Sequence, residues 1–152
     1  MATLLDYLFV YPDDGILYRA SDMILDDHSN AGFNNENKGY SRSVTHIFLS
    51  EHDPIPRWNG TILTITQIIK FVMASVAKAE LVTLFIATQK LVLLQQKLIK
   101  LGWLQPPTLV QTNNTTVVGV VNKILVINKL RSIGLRDYWL QCWETQEQLR
   151  FY

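Results

Sequence analysis

The densest group of candidate metal ligands is the run Asp26-Asp27-His28, since carboxylate and imidazole groups both bind divalent cations. If this run lies in a β-strand, adjacent side chains point to opposite faces of the sheet, so that only Asp26 and His28 converge. We therefore expect no metal site there. The other two histidines, His46 and His52, are interpreted as isolated residues on a strand face and in a loop.

Nucleophilic side chains form no recognisable catalytic arrangement. Ser29 and Ser75 lack the glycine-framed turn that exposes a nucleophilic serine, and no Ser/His/Asp triad can be identified. Cys142 lies beside Trp139 and Trp143 in an amphipathic pattern that is more typical of a core than of a catalyst. Because it is the single cysteine, an intramolecular disulfide and a zinc site built from cysteines are both excluded.

The composition is that of one globular domain. The chain has 152 residues, of which 48% are hydrophobic and 18% charged, which is enough apolar surface for a core. A net charge of +1 excludes a strong global attraction to nucleic acid or anionic lipid. No segment reaches the roughly 18 apolar residues of a membrane helix, and the first residues carry no basic leader. We expect a soluble intracellular protein, cytoplasmic or nuclear, without a membrane partner.

Hydrophobic periodicity predicts the elements that position any site. After a short apolar opening and a turn at residues 12–15, period-two patterns predict strands over residues 16–25, 40–50, 61–69, 108–112 and 149–152. An Asn-rich stretch, residues 30–39, predicts a hairpin loop. Spacings of three and four predict helices over residues 75–101, 115–122 and from 130 or 132 to 148, the second capped by Asn114 or Thr115. This order favours an α/β domain with a mixed sheet, its first three strands antiparallel and its helices packed on the sheet.

A series of short motifs runs along nearly the whole chain, at residues 4–7, 11–13, 18–23, 28–31, 41–43, 48–50, 59–69, 73–81, 105–108, 111–114 and 136–140. In this order the motifs resemble the ribonuclease H domain at the end of a copia-type LTR retrotransposon polyprotein. In that family the first-strand motif ends Ser-Asp-Ala, the first helix begins Ser-Ser-Ala-Glu-Ala-Glu, and the fourth strand ends Thr-Asp-Asn. The resemblance implies a single ribonuclease H-like domain over residues 1–152, with a lead-in at residues 1–15 and a final strand and helix that are incomplete at the C-terminus.

The resemblance also implies a reaction, the hydrolysis of RNA in RNA–DNA hybrids by two Mg²⁺ ions held by four carboxylates. Glu80 retains one of these acids, Asn30 and Asn113 stand where the family has Asp, and the fourth position would lie beyond Tyr152. A lone carboxylate cannot hold two divalent ions. We therefore expect no bound metal or other cofactor, Mg²⁺ being the ancestral one, and no nuclease activity, although Asn30, Glu80 and Asn113 should lie close together.

Further departures from the family pattern indicate decay. Lys78 replaces a Glu, Gly134 replaces an Asp, and Asp27 occupies a position that the family keeps apolar. An Asp-to-Asn or Glu-to-Lys change needs only one guanine-to-adenine substitution in the codon, which suits a silenced element. Glu80 also has a simpler interpretation, which we favour for its present role, as a solvated carboxylate near a helix N-terminus.

The sequence leaves three functional hypotheses. The first is a degenerate ribonuclease H-like domain that has lost its activity, and the second is a domesticated, non-catalytic nucleic-acid-binding or protein-interaction domain. The third, an enzyme completed by neighbouring polyprotein segments, would require Asn30 and Asn113 to be tolerated. The expected partner is an RNA–DNA hybrid or another nucleic acid, weakly bound, and the oligomeric state cannot be inferred. Lys90, Lys97 and Lys100 are interpreted as a solvated helix face, with residual phosphate contact as the alternative.

Overall fold

A five-stranded sheet organises the chain in the computed structural model, which describes residues 4–53, 57, 59–123 and 134–152. The strands are β1 (Ile24–Glu36), β2 (Tyr40–Ser50), β3 (Thr61–Ile69), β4 (Thr108–Thr112) and β5 (Leu149–Phe151). The helices are α1 (Leu4–Val10), α2 (Val76–Lys100), α3 (Thr115–Val121) and α4 (Gly134–Thr145). Within the described residues, none of these helices combines the length and the apolar character that a membrane crossing requires.

The spatial order of the strands is β3-β2-β1-β4-β5. β1, β2 and β3 form an antiparallel meander, whereas β4 pairs with β1 and β5 with β4 in parallel. The tight turn between β1 and β2 places Lys38 and Gly39 at φ values of 64° and 71°, the left-handed backbone that suits a hairpin between twisted strands. The predicted mixed sheet with three antiparallel strands is confirmed.

Two boundary predictions near the N-terminus are wrong. Residues 16–23 are not part of a strand, and β1 begins only at Ile24. It then continues through the Asn-rich segment that was predicted to be a loop, ending at Glu36. The reason is tertiary, because β2 pairs with residues 30–32 and, after a register shift, with Glu36, and this pairing outweighs the low strand propensity of Asn.

The long helix agrees with its prediction. The Ser75 hydroxyl caps α2 by accepting a hydrogen bond from the backbone N–H of Lys78 at 3.3 Å, and Gly102, at a φ of 94°, follows its C-terminal end. The side chain of Asn114 caps α3 in the same way. The predicted last helix begins in residues outside the described ones, and its described part ends at Thr145 rather than at residue 148.

The core lies on one side of the sheet, between the strands and a layer formed by α2, α3 and α4. Its fully buried members include Leu25, Ile47, Leu84, Val110 and Leu140. On β1, alternation then divides the side chains between two faces, which we call the inner face (Leu25, Asp27, Ser29) and the outer face (Asp26, His28, Asn30). The inner face is the one covered by the helices.

Candidate active site

Three elements meet at the positions that the sequence analysis singled out. Asn30 lies on β1, Asn113 directly follows β4, and Glu80 lies on the second turn of α2. The parallel register pairs Ser29 with Thr112, which brings the next residues, Asn30 and Asn113, side by side. The amide of Asn113 donates a hydrogen bond from Nδ2 to Oδ1 of Asn30 at 3.4 Å. Glu80, from the helix layer, contacts the backbone of Ala31, the residue after Asn30.

The carboxylate of Glu80 is held against the backbone of β1. Its Oε1 accepts a hydrogen bond from the N–H of Ala31 at 3.1 Å, whereas Oε2 has no hydrogen-bond partner among the described residues. Only 1% of the residue is exposed. Burial raises the pKa of the Glu80 carboxyl, and the hydrogen bond from Ala31 offsets part of that rise. The interpretation of Glu80 as a solvated surface carboxylate is therefore wrong, because the docking of α2 on β1 encloses it.

The architecture around this site matches that of several solved ribonucleases H. LC11-RNase H1, isolated from compost by a metagenomic approach, superposes with a TM-score of 0.62 at 14% identity, covering 86% of this chain and 83% of that one. The same enzyme in complex with an RNA/DNA hybrid gives a TM-score of 0.60 at 15% identity, covering 84% and 83%. The N-terminal RNase H domain of a Mycobacterium tuberculosis protein gives 0.57 at 15% identity, covering 86% and 80%.

This chain has the ribonuclease H fold. The likeness extends over most of both chains in each of these comparisons, and it includes the mixed sheet and the helices packed on it. No protein-family model matches the sequence, and no curated protein matches it either. At 14–15% identity the likeness establishes the architecture, and the chemistry of the site has to be judged from its own residues.

The donor set at this site does not fit the two Mg²⁺ ions that the resemblance implies. Mg²⁺ prefers anionic oxygen ligands, and Glu80 supplies the only carboxylate of the three positions. Asn30 and Asn113 supply neutral amides, and these amides are hydrogen-bonded to each other. Nowhere in the described parts of the chain do three or more His, Cys, Asp or Glu side chains form a group able to hold a metal ion.

A second carboxylate is buried on the inner face of the ribonuclease H sheet. Asp27 is 1% exposed and accepts a hydrogen bond from the Ser29 hydroxyl at 2.5 Å, and Ser29 also contacts the Thr45 hydroxyl at 3.2 Å. Burial raises the pKa of Asp27 to about 7, although the bond from Ser29 opposes the rise. The carboxylate is enclosed in the core, so that it cannot reach a ligand on the outer face.

The run Asp26-Asp27-His28 divides between the faces in the expected way. Asp26 lies on the outer face, opposite to the face that Asp27 occupies, and accepts a hydrogen bond from the Ser50 hydroxyl. Burial raises the pKa of Asp26 to about 6. His28 lies on the same outer face as Asp26. On the adjacent strand β2, Asp26 is paired with Phe48, whereas His28 is paired with another residue.

The residue paired with His28 is His46, which was predicted to be isolated on a strand face. The β1–β2 register pairs His28 directly with His46, so the interpretation of His46 as isolated is wrong. Burial first, and then the nearby His46 ring, lower the pKa of His28. In the sequence, the alternation of side chains along β1 and β2 indicates which residues share a face. It identifies the partner of a given residue only when the register of the two strands is known. His52 lies exposed after β2, as predicted.

Proposed function

We propose that this chain is a ribonuclease H-like domain derived from a copia-type retrotransposon, in which the ancestral nuclease activity has been lost. One observation carries the proposal. Two amides, Asn30 and Asn113, bond to each other, and the single carboxylate of Glu80 bonds to the backbone N–H of Ala31, the residue after Asn30. The proposal implies an intracellular protein, cytoplasmic or nuclear.

The loss of activity follows from charge. In two-metal hydrolysis, ions about 4 Å apart activate the attacking water and stabilise the leaving oxygen. Carboxylates have to offset four positive charges at that distance, and an amide carbonyl carries no net charge to offset them. Glu80 alone contributes one negative charge at most, and its burial disfavours even that charge. The residues of this site therefore lack the charge that would keep both ions in place.

The buried Asp27 supports decay rather than domestication. A carboxylate enclosed in the core costs folding free energy unless it is fully hydrogen-bonded, and Oδ1 of Asp27 has no hydrogen-bond partner among the described residues. A domain maintained for binding would be expected to keep a well-packed core strand. The second hypothesis, a domesticated interaction domain, therefore ranks below the degenerate enzyme.

The direct test is cleavage of a labelled RNA–DNA hybrid in Mg²⁺ or Mn²⁺. We expect no cleavage above the buffer control, and no Mg²⁺ binding at millimolar concentration by calorimetry. The Glu80→Gln variant, purified in parallel by the same procedure, is the matched control, because a contaminating nuclease would cut the hybrid in both preparations. The proposal fails if the unmodified protein cuts the RNA strand and Glu80→Gln abolishes the cutting.

Restoring the acids tests the site assignment separately. The double variant Asn30→Asp/Asn113→Asp should gain measurable Mg²⁺ affinity, because it places two carboxyl groups side by side where two amides now bond to each other. Adding Glu80→Gln to that variant should weaken the regained binding. The readout of this test is the Mg²⁺ affinity, measured by calorimetry. If the double variant binds no more Mg²⁺ than the unmodified chain, the three positions do not form an ancestral metal site.

Binding of the hybrid is a separate question from cleavage. LC11-RNase H1 forms a complex with an RNA/DNA hybrid, and we propose weak residual binding of the same class of ligand here. The exposed lysines Lys90, Lys97 and Lys100 on α2 are the proposed phosphate contacts. Replacing all three by Gln should lower both the affinity and its salt dependence, measured by fluorescence anisotropy. The control with the same change in charge replaces Lys38, Lys70 and Lys123.

A further inference from the structure

Two of the three histidines in the chain stand side by side on the outer face. His28 on β1 and His46 on β2 are directly opposite each other in the antiparallel register. Residues that are directly opposite in such a pair have Cβ atoms about 4.5–5.5 Å apart and project from the same face. Their chain neighbours Asp27 and Ile47 point to the helix layer, so both imidazoles project away from it and are half-buried.

The ring of His46 is held in a defined orientation. Its Nδ1 lies 3.3 Å from the hydroxyl oxygen of Thr64, which the register places beside it on β3. The Thr64 hydroxyl in turn contacts the Thr61 hydroxyl at 3.2 Å. When Nδ1–H donates to Thr64, the ring keeps its acceptor lone pair on Nε2. Metal-binding histidines commonly have this arrangement, with one nitrogen hydrogen-bonded and the other available as a ligand.

The residues paired with one another across the strands form a row that includes the two histidines. On the other side of His28, the parallel register places Gln111 of β4. Thr64, His46, His28 and Gln111 therefore form one transverse row over four strands, with the two imidazoles in its centre. No carboxylate belongs to this row, because the outer-face Asp26 lies two residues before His28 on β1 and bonds to Ser50. The metal-binding groups of this row are the two imidazole nitrogen donors, and such donors suit Zn²⁺ and Cu²⁺ rather than Mg²⁺.

We propose that His28 and His46 chelate one divalent transition-metal ion, Zn²⁺ or Cu²⁺, with water molecules completing its coordination. Thr64 is a positioning residue that orients the His46 ring. His28 lies two residues before Asn30 on β1, and the site does not depend on Asn30, Glu80 or Asn113. The inference is therefore independent of the function proposed above, and either can fail without the other.

The first experiment is a calorimetric titration of the whole chain with Zn²⁺. We expect one ion to bind, and we expect His28→Gln and His46→Gln each to weaken the affinity by at least about tenfold, since the loss of even an outer-shell partner costs 10–100-fold. The matched control is His52→Gln, which removes the third histidine from an exposed position. It should bind as the unmodified protein does, and Glu80→Gln should do the same.

A second measurement removes any ambiguity from a variant that folds poorly. Electron paramagnetic resonance of the unmodified protein loaded with one equivalent of Cu²⁺ should show hyperfine coupling to two imidazole nitrogens. Each folded single variant should show one. The proposal is overturned if the unmodified chain binds no Zn²⁺ at micromolar concentration or its Cu²⁺ spectrum lacks the two imidazoles. It is equally overturned if His52→Gln removes the binding.

Discussion

The inner and outer faces of β1 carry polar residues in about equal measure, yet the two faces differ in chemistry. On the inner face, Asp27 and Ser29 are enclosed beneath the helix layer and bond to each other and to Thr45. On the outer face, His28 and Asn30 remain accessible, and each has its neighbour on an adjacent strand. The neighbours Asp27 and His28 therefore differ in environment because side chains alternate between the two faces, although the outer-face Asp26 is itself buried and bonds to Ser50.

The largest expected effect comes from weakening the layer that covers the inner face. Leu84→Ala should lower the free energy of unfolding by about 2–5 kcal/mol, because the fully buried side chain would leave a cavity between α2 and the sheet. The matched control on the same helix is Leu93→Ala, at a residue that is 53% exposed, where a change within about 0.5 kcal/mol is expected. Urea denaturation of both variants measures the difference. Equal effects would mean that α2 does not cover the inner face in solution.

Asp27 should make stability depend on pH. Its pKa in the folded state is raised to about 7, above the value in the unfolded chain, so folding favours the neutral acid. Stability should therefore be greatest at low pH and fall as pH rises through the interval from about 4 to about 7. Burial also raises the pKa values of Asp26 and Asp137, to about 6 each, and both act in the same direction.

Asp27→Asn should remove part of this slope. Relative to the unmodified chain, the variant should gain on the order of 4 kcal/mol between pH 4 and pH 8, because the pKa is raised from 3.8 to about 7 and one pKa unit corresponds to about 1.4 kcal/mol. Urea denaturation at several pH values gives the measurement, and the exposed Asp13→Asn serves as the control. A slope that Asp27→Asn leaves unchanged would show that this carboxyl is not enclosed.

Two adjacent residues allow the smallest and most direct comparison of the faces. Ser29→Ala should cost about 1–2 kcal/mol, because it leaves the buried Asp27 carboxylate without its hydroxyl donor. Asn30→Ala should change stability by no more than about 0.5 kcal/mol, since its exposed amide makes one long hydrogen bond to Asn113. Thermal denaturation of the two variants at one pH is sufficient. A reversed order would contradict the assignment of the faces.

Local patterns in the sequence determined much of the fold. The strands at residues 40–50, 61–69 and 108–112 were predicted with the bounds that the structure has, because they are rich in β-branched residues and are bounded by turn residues. The helix that begins after Ser75 was predicted from its spacings of three and four, which depend on neighbours within about one turn. The meeting of Asn30, Glu80 and Asn113 was expected from a family resemblance, and the roles of these residues remain a prediction.

The tertiary structure decided what depends on distant partners. β1 extends to Glu36 through asparagines that favour turns, because the antiparallel strand β2 pairs with residues 30–32 and with Glu36. Glu80 is buried because α2 docks on β1, although its position near a helix start suggested a solvated role. His46 acquires its partner His28 through the register of two strands, and a shift of one residue would turn the two imidazoles to opposite faces. Local periodicity reports which face a side chain occupies, but only the packing of the whole chain determines which side chain stands beside it.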